Sequence, residues 1–379
     1  MAFDLTPFHI DVPDEEIDDL HRRLRATRWP RALSSDWARG VPVEYLRGIV
    51  ERWLEFDWRL WEARLNAVPQ YTTRIDGQTV HFLHVRSPEP TAIPLILTHG
   101  WPGSVAEFLD VLGPLTSPAA HGGDASDAFH VVAPSVPGHG FSVPLGGPGW
   151  DHERIARAWI ELMDRLGYHR YGAQGGDTGS VVSPLVGALA PDRVIGVHIN
   201  GGLAFPAAEP GDFDDLNATD QAKLATAEHI RATGTGYAEL QSTKPQTVSF
   251  ALSDSPVGQL AWILEKFHDW TDPARALPED AVALDHLLAN ASIYWFTNTS
   301  ATSANLYYES RTAAPVARSD VPTGVAVFPT DPAMRHILER RHNITHWTEY
   351  SRGGHFAALE APDLLVDDIR AFFRPLRQQ

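Results

Sequence analysis

The stretch YGAQGGDTGS, residues 171–180, decides the fold. An apolar run ends in Gly175-Gly176-Asp177-Thr178-Gly179, an acidic residue with glycine two positions before it and two after. A nucleophile elbow has this form. It is a sharp strand-to-helix turn with a strained residue at its tip, and only small neighbours let strand and helix approach closely. Alone, the residues also read as a Gly-rich turn whose aspartate caps a helix. The elbow needs an acid and then a histidine further along, plus backbone donors for an oxyanion hole.

Both later residues are present in that order. Asp331 follows the apolar run VAVF (325–328), and His355 stands in Gly353-Gly354-His355-Phe356. The plain alternatives are a capping role for Asp331 before Pro332 and a loop role for His355. HGWPGS (99–104) occupies the loop that usually carries an oxyanion donor, so the backbone amides of Trp101 and Thr178 are the expected pair.

Outward from the elbow, buried runs repeat: IPLILTHG (93–100), FHVVAPSVPGHGFS (129–142), RVIGVHINGG (193–202), VPTGVAVFPTD (321–331) and THWTEYSRGGHF (345–356). Helical stretches, such as 152–167 and 362–374, separate most of them. This alternation predicts the α/β class, with a mostly parallel central sheet and helices on both faces. Chemistry in such sheets sits beyond the carboxyl ends of the strands, where His99, Asp177, Asp331 and His355 all fall.

Residues 203–300 break the rhythm with helical patterns at 215–233, 256–269 and 281–297 and no buried strand. They read as a helical cap inserted before the last strands, shaping a water-excluding pocket. At the N-terminus, 12–28 and 43–66 each read as one amphipathic helix, and Asp76-Gly77 marks a hairpin within 71–87. The expected division is an N-terminal extension 1–90, core 91–202, cap 203–300 and core 301–379.

Composition excludes several classes. The 379 residues are 43% hydrophobic and carry a net charge of -17, so nucleic acid and anionic membranes would be repelled. The absence of cysteine removes disulfides, a thiol nucleophile and thiolate metal sites, and it fits a reducing, cytoplasmic setting. The start MAFDLTPFHIDVPDEE has neither a basic opening nor an apolar run, so no signal peptide is expected. No run of about 18 apolar residues predicts a membrane span. The 18 histidines show no metal-ligand spacing, and GxSxG, HExxH and GxxxxGK[ST] motifs are missing, so neither metal nor cofactor is expected.

A carboxylate at the elbow defines the chemistry. It is ionised at neutral pH and needs no base to activate it. Attack on a saturated carbon would give an alkyl ester, whose carbonyl a water activated by His355 could then attack. Serine would give an ether with no carbonyl to hydrolyse. The substrate is therefore an epoxide or an alkyl halide. A halide is best received by indole donors, one of them just after the nucleophile, where this chain has Thr178. An epoxide oxygen suits phenol donors, and Tyr237 and the pair Tyr307-Tyr308 supply them. The epoxide reading leads, with a haloalkane dehalogenase using the same Asp177 as the alternative and a non-catalytic binding module as a third.

The chain resembles the microsomal-type epoxide hydrolases of the α/β-hydrolase superfamily, in their soluble bacterial branch. FHIDVPDEEIDDLHRRL, TRWP, EARLNAVPQYTTRIDGQTVHFLHVRS, HGWPGS and PSVPGHGFS carry the likeness, as do GGDTGS, GTGYAELQSTKPQT, LSDSPVG, ILEKF, VPTGVAVFP and RGGHFAALEAPDLL. The resemblance implies an α/β-hydrolase fold with an N-terminal extension wrapping core and cap. It implies Asp177 as nucleophile, His355 as base, Asp331 as the acid orienting it, and Tyr237 (in GYxxxQ) and Tyr307 as proton donors, with Tyr308 open as the second. Three departures from relatives are expected: no membrane anchor is expected at the start, unlike the animal microsomal enzymes, Thr178 replaces an aromatic common in the family, and Asp331 stands where mammalian enzymes use Glu. Some bacterial members open epoxides in antibiotic biosynthesis, including enediyne pathways, and the resemblance allows that role. Trp101, Phe141 and Trp262 are candidate pocket residues for a bulky aromatic substrate, with core burial the alternative. The expected partner is a small apolar or aromatic epoxide, with a homodimer left open.

Overall fold

The computed structural model describes residues 4–201, 211–312 and 318–377. Nine strands form one sheet: β1 (Thr6–Pro7), β2 (Gln70–Ile75), β3 (Gln78–Val85), β4 (Ile93–Thr98), β5 (Phe129–Pro134), β6 (Tyr171–Gly176), β7 (Val194–Asn200), β8 (Ser319–Val327) and β9 (His342–Glu349). Their order is β1-β2-β3-β5-β4-β6-β7-β8-β9. The pairs from β5-β4 onward are parallel, and those joining β1, β2, β3 and β5 are antiparallel. This is the mostly parallel sheet that the apolar runs predict.

Helices cover both faces. Trp159 and Leu162 of helix His152–Arg165 and Val182 and Val186 of Thr178–Leu189 pack in one buried cluster with Ile96, Ala173 and Val197 of the sheet. Leu112 and Leu115 of Leu109–Thr116 and Ile369 and Phe373 of Pro362–Phe373 pack in another with Leu95, Leu97 and Val131. Successive side chains of a strand point to opposite faces, which assigns Leu95 and Ile96 to different layers.

The hairpin forms where Asp76-Gly77 places it. Both residues have positive φ, 48° and 78°, as a two-residue turn of the I′ kind requires. β3 continues into the sheet by pairing with β5, so the expected division at residue 90 falls within one sheet. The expected helix 43–66 is two helices, Val43–Glu55 and Trp58–Asn66. The Asp57 side chain accepts from the N–H groups of Arg59 at 3.0 Å and Leu60 at 3.4 Å, capping a new helix there.

Over the carboxyl edge lie helices Ala218–Thr233, Gly236–Thr243, Pro245–Asp254, Pro256–Trp270, Leu284–Phe296 and Thr299–Ser310. The last packs on Gly236–Thr243 and Pro245–Asp254, so the cap boundary expected at 300 falls inside a helix of that layer. Part of the expected cap, 203–210, lies outside the described residues. Leu20, Leu24 and Trp53 from the N-terminal helices share a buried cluster with Leu260, Leu264 and Leu287 of the cap, which ties the extension to it.

Candidate active site

Asp177 lies between strand β6, which ends at Gly176, and helix Thr178–Leu189, with φ 53° and ψ -117°. A non-glycine residue in such a conformation costs about 1–3 kcal/mol and persists only where its surroundings impose it. They do so here. Its N–H donates to the Gly201 carbonyl at 2.8 Å, and Ser180 donates to the Asp177 carbonyl through N at 2.9 Å and Oγ at 2.7 Å. A Cβ on Gly179 would lie 2.1 Å from the Thr98 carbonyl oxygen, and one on Gly175 would lie 2.6 Å from the Gly179 Cα. The glycine spacing is therefore a steric requirement of the turn.

The Asp177 carboxylate is held on both sides. Oδ1 accepts from the Trp101 N–H at 2.9 Å and lies 3.2 Å from the Thr178 hydroxyl, and the Thr178 N–H also donates to the carboxylate. Oδ2 lies 3.5 Å from His355 Nε2. The Asp177 and His355 side chains keep 19% and 11% exposure, and both line cavities at the site.

His355 is placed by its backbone. Its N–H donates to the Trp270 carbonyl at 2.8 Å, and Gly353 before it has φ 84°. A side chain at Gly354 would meet that same carbonyl at 2.7 Å, which accounts for the paired glycines. Asp331 is buried in a turn closed by its own N–H on the Phe328 carbonyl at 2.8 Å, and its charge acts on the imidazole.

The electrostatics follow. Burial pushes the Asp177 carboxyl up, but the His355 hydrogen bond and charge and the two amides outweigh it, so the group lies below its ordinary range. Burial pushes His355 down, but the hydrogen bond and charge of Asp177, with Asp331 and Glu107, raise it overall. Each of the two groups thus favours the charged form of the other.

Tyr237 stacks on Trp101 at 5.0 Å with 6° between the rings, and Tyr307 meets Tyr237 edge-on at 5.8 Å and 79°. Burial raises both phenols, and the Asp177 charge raises them further, so both stay protonated. Tyr308 turns away: it is 39% exposed and lies under Arg311 at 4.2 Å. Of the two adjacent tyrosines, Tyr307 faces the carboxylate.

The structure thus brings together Asp177, His355, Asp331, Trp101, Thr178, Tyr237 and Tyr307. It places Phe141 and Trp262 elsewhere. Phe141 packs against Phe8 at 5.5 Å and His81 at 5.2 Å, joining the N-terminal segment to the core. Trp262 donates its indole N–H to Gln241 Oε1 at 2.9 Å between cap helices. Neither is among the residues lining these cavities at Asp177.

Glu107 is the site residue that sequence reasoning missed. Burial pushes its carboxyl up to about 8, with the Asp177 charge adding to the rise and that of His355 opposing it. In sequence, Ser104-Val105-Ala106-Glu107 has the form of a capping box, which gives Glu107 a local structural role and no sign of the site. Ser104 Oγ accepts from the Ala106 N–H at 3.3 Å, while the Ser104 N–H bonds the Glu107 carboxyl. Glu107, Asp177, His355 and His99 line a cavity of about 20 Å³, room for one water.

Two larger cavities reach Asp177 and Tyr237. One of about 280 Å³ is walled by Ile230, Trp270, Asp331 and Pro332, and one of about 350 Å³ by His152, Val181, Leu306 and Tyr307. Among the described residues, no group of acidic and histidine side chains is arranged to hold a metal, and no helix is long and apolar enough to cross a membrane.

Comparison with known proteins places the chain in a family. Residues 5–108 match the family model "Epoxide hydrolase N terminus", and 93–258 match "alpha/beta hydrolase fold". A protein of Stigmatella aurantiaca named "Putative epoxide hydrolase" is 48% identical, over 98% of this chain and 86% of its own length. Epoxide hydrolase 1 of Sus scrofa is 36% identical over 99% of this chain and 90% of its own. The solved epoxide hydrolase of Aspergillus niger superposes with a TM-score of 0.87 at 34% identity, covering 99% of this chain and 97% of that one. Sheet, elbow and full-length similarity converge: the chain is a hydrolase that belongs to the epoxide hydrolase family of the α/β-hydrolase superfamily.

Proposed function

We propose that this hydrolase converts a small epoxide and water to a vicinal diol through an ester of Asp177. One observation carries the reading: Asp177 Oδ1 sits on the Trp101 amide while Oδ2 faces His355, and Tyr237 and Tyr307 line a cavity that reaches the same carboxylate. Oδ2 donates an electron pair to a ring carbon, and the carbon–oxygen bond of the oxirane breaks. The released oxygen takes a proton from Tyr237 or Tyr307, leaving a phenolate. The proton on His355 returns to that phenolate through solvent.

Ring opening also prepares the second step. The Asp177 hydrogen bond and charge are the largest influences raising His355. Esterification removes that charge, so the imidazole loses its proton more readily and becomes a base. It takes a proton from a water in the small cavity beside Glu107, and the hydroxide attacks the ester carbonyl. The amides of Trp101 and Thr178 receive the developing oxyanion. Collapse releases the diol and restores the carboxylate–imidazolium pair. Glu107 holds the water, and Asp331 orients His355 and stabilises its charge.

The larger cavities present Ile230, Trp270, Val181 and Leu306, which suits an apolar or aromatic epoxide. The phenols suit an oxygen leaving group; halide released from a chloroalkane, with no diol from epoxides, would instead favour the dehalogenase use of Asp177. The test is a single turnover in ¹⁸O-water with enzyme in excess. The first diol should carry unlabelled oxygen from Asp177, and the label should appear in the Asp177 peptide. Label in the first diol, with Asp177 unlabelled, would mean direct attack by water.

A further inference from the structure

Lys266 lies on cap helix Pro256–Trp270 with only 2% of its side chain exposed. Lysine is almost never fully buried unless paired. Its Nζ reaches Glu265 Oε1 at 2.6 Å, and it also lies over two aromatic rings, 4.6 Å from the centroid of Tyr237 and 5.6 Å from that of Trp270. Trp270 follows Lys266 by one helical turn, which puts the two on one face of the helix. The Trp270 ring in turn packs on Tyr237 at 5.3 Å and on His355 at 4.9 Å.

Stability alone does not account for an ammonium here. Replacing both partners of a buried ion pair by apolar groups of similar volume is commonly neutral or favourable, so the Lys266–Glu265 pair is weak evidence of a stabilising role. The position of the charge relative to the proposed chemistry is what sets Lys266 apart.

We infer that Lys266 is a positioning residue for ring opening, acting through Tyr237: its ammonium, over the face of that phenol, stabilises the negative charge that arrives there as the proton passes to the oxirane oxygen. The inference rests on the covalent reading above and adds a residue to it. As the bond from Asp177 to carbon forms and the ring bond breaks, the charge leaves the carboxylate. When the Tyr237 proton moves to the oxygen, that charge is spread over the phenolate ring. A cation over a neutral ring gains only the quadrupole attraction, whereas over a ring gaining charge it gains direct attraction as well. The interaction is therefore stronger in the transition state than in the ground state, the condition for raising a rate. Ester hydrolysis develops its charge at the Trp101 and Thr178 amides and at His355, and it owes nothing to Lys266.

The experiment measures the two steps separately by rapid quench with styrene oxide, in Lys266→Met, Lys266→Arg, Tyr237→Phe and the Lys266→Met/Tyr237→Phe double variant. Tyr307 leaves the Tyr237→Phe proteins with a measurable ring-opening rate. Lys266→Met should slow ester formation about tenfold and change ester hydrolysis by less than about twofold. Lys266→Arg should restore most of the loss. In the Tyr237→Phe background, Lys266→Met should have almost no further effect on ester formation. A merely structural role predicts equal slowing of both steps or equal slowing in both tyrosine backgrounds, and either result overturns the inference, as does ester formation at the wild-type rate. If Lys266→Met does not fold, Lys266→Gln in both backgrounds decides by the same rates. The covalent reading fails by a different sign: wild type that turns over with no Asp177 ester trapped at any time.

Discussion

The two halves of the site are built by different means. Its lower half, Asp177, Trp101, His355 and Asp331, stands on loops at the carboxyl ends of parallel strands, and close backbone approach fixes it. The Gly179 and Gly354 positions leave 2.1 and 2.7 Å for a Cβ against neighbouring carbonyl oxygens. Its upper half, Tyr237, Tyr307, Lys266 and Trp270, comes from three cap helices, and ring packing fixes it. The first half resists change of shape at any one position, because the backbone itself must move. The second can exchange side chains while helices stay in place. Under the proposed mechanism, this division separates the carboxylate chemistry from proton donation and pocket shape.

Substitutions on each side should separate these roles. Asp177→Ala should have the largest effect, abolishing both ester and diol with a loss of more than about 10⁴-fold in kcat, measured as diol formation. Residual turnover near wild type would break the division at its base. Next is Gly179→Ala. Its methyl group has no space against Thr98, and we expect a loss of about 3 kcal/mol or more in unfolding free energy, measured by denaturant titration. On the cap side, Tyr237→Phe and Tyr307→Phe should each slow ring opening about 10²-fold with little change in thermal stability. A large loss of stability instead would mean that the phenols are packing elements first.

Glu107→Gln sharpens the comparison by step and by pH. It should slow ester hydrolysis about tenfold and spare ester formation, read by rapid quench. The wild-type carboxyl titrates at about 8 in the folded protein against an ordinary 4.5, so between those values the folded state holds a proton that the unfolded state has released. Stability from this group is thus full below about 4.5 and lost as the pH rises toward 8. Glu107→Gln should gain melting temperature relative to wild type at pH 8 and lose that advantage at pH 5. An equal difference at both would show that the carboxyl is not held protonated.

The two halves also differ in how legible they were. Close-approach sites leave glycines at fixed offsets, so GGDTG and GGH point to Asp177 and His355 from the sequence alone. Asp76-Gly77 works in the same way for the hairpin. Ring-packed sites leave no such spacing. Nothing in the composition around Phe141 or Trp262 says that one faces the N-terminal segment and the other a glutamine, because aromatic residues suit core and pocket alike. Glu107 was hidden because its capping pattern accounts for it locally. Its role comes from His355, brought beside it by the fold from the far end of the chain. The break at Asp57 is masked for the opposite reason: a strong apolar periodicity runs across the one side chain that caps the new helix.

The central claim is that Asp177 becomes an ester. The direct measurement is on the His355→Gln protein, which lacks the proposed base and in which the ester should accumulate. It is mixed with styrene oxide and quenched in acid, and the peptide containing Asp177 is weighed. A gain equal to the mass of the whole epoxide, on Asp177 and absent in Asp177→Ala, is the predicted result. An unmodified peptide, while the wild-type protein makes diol from the same epoxide, would contradict the account.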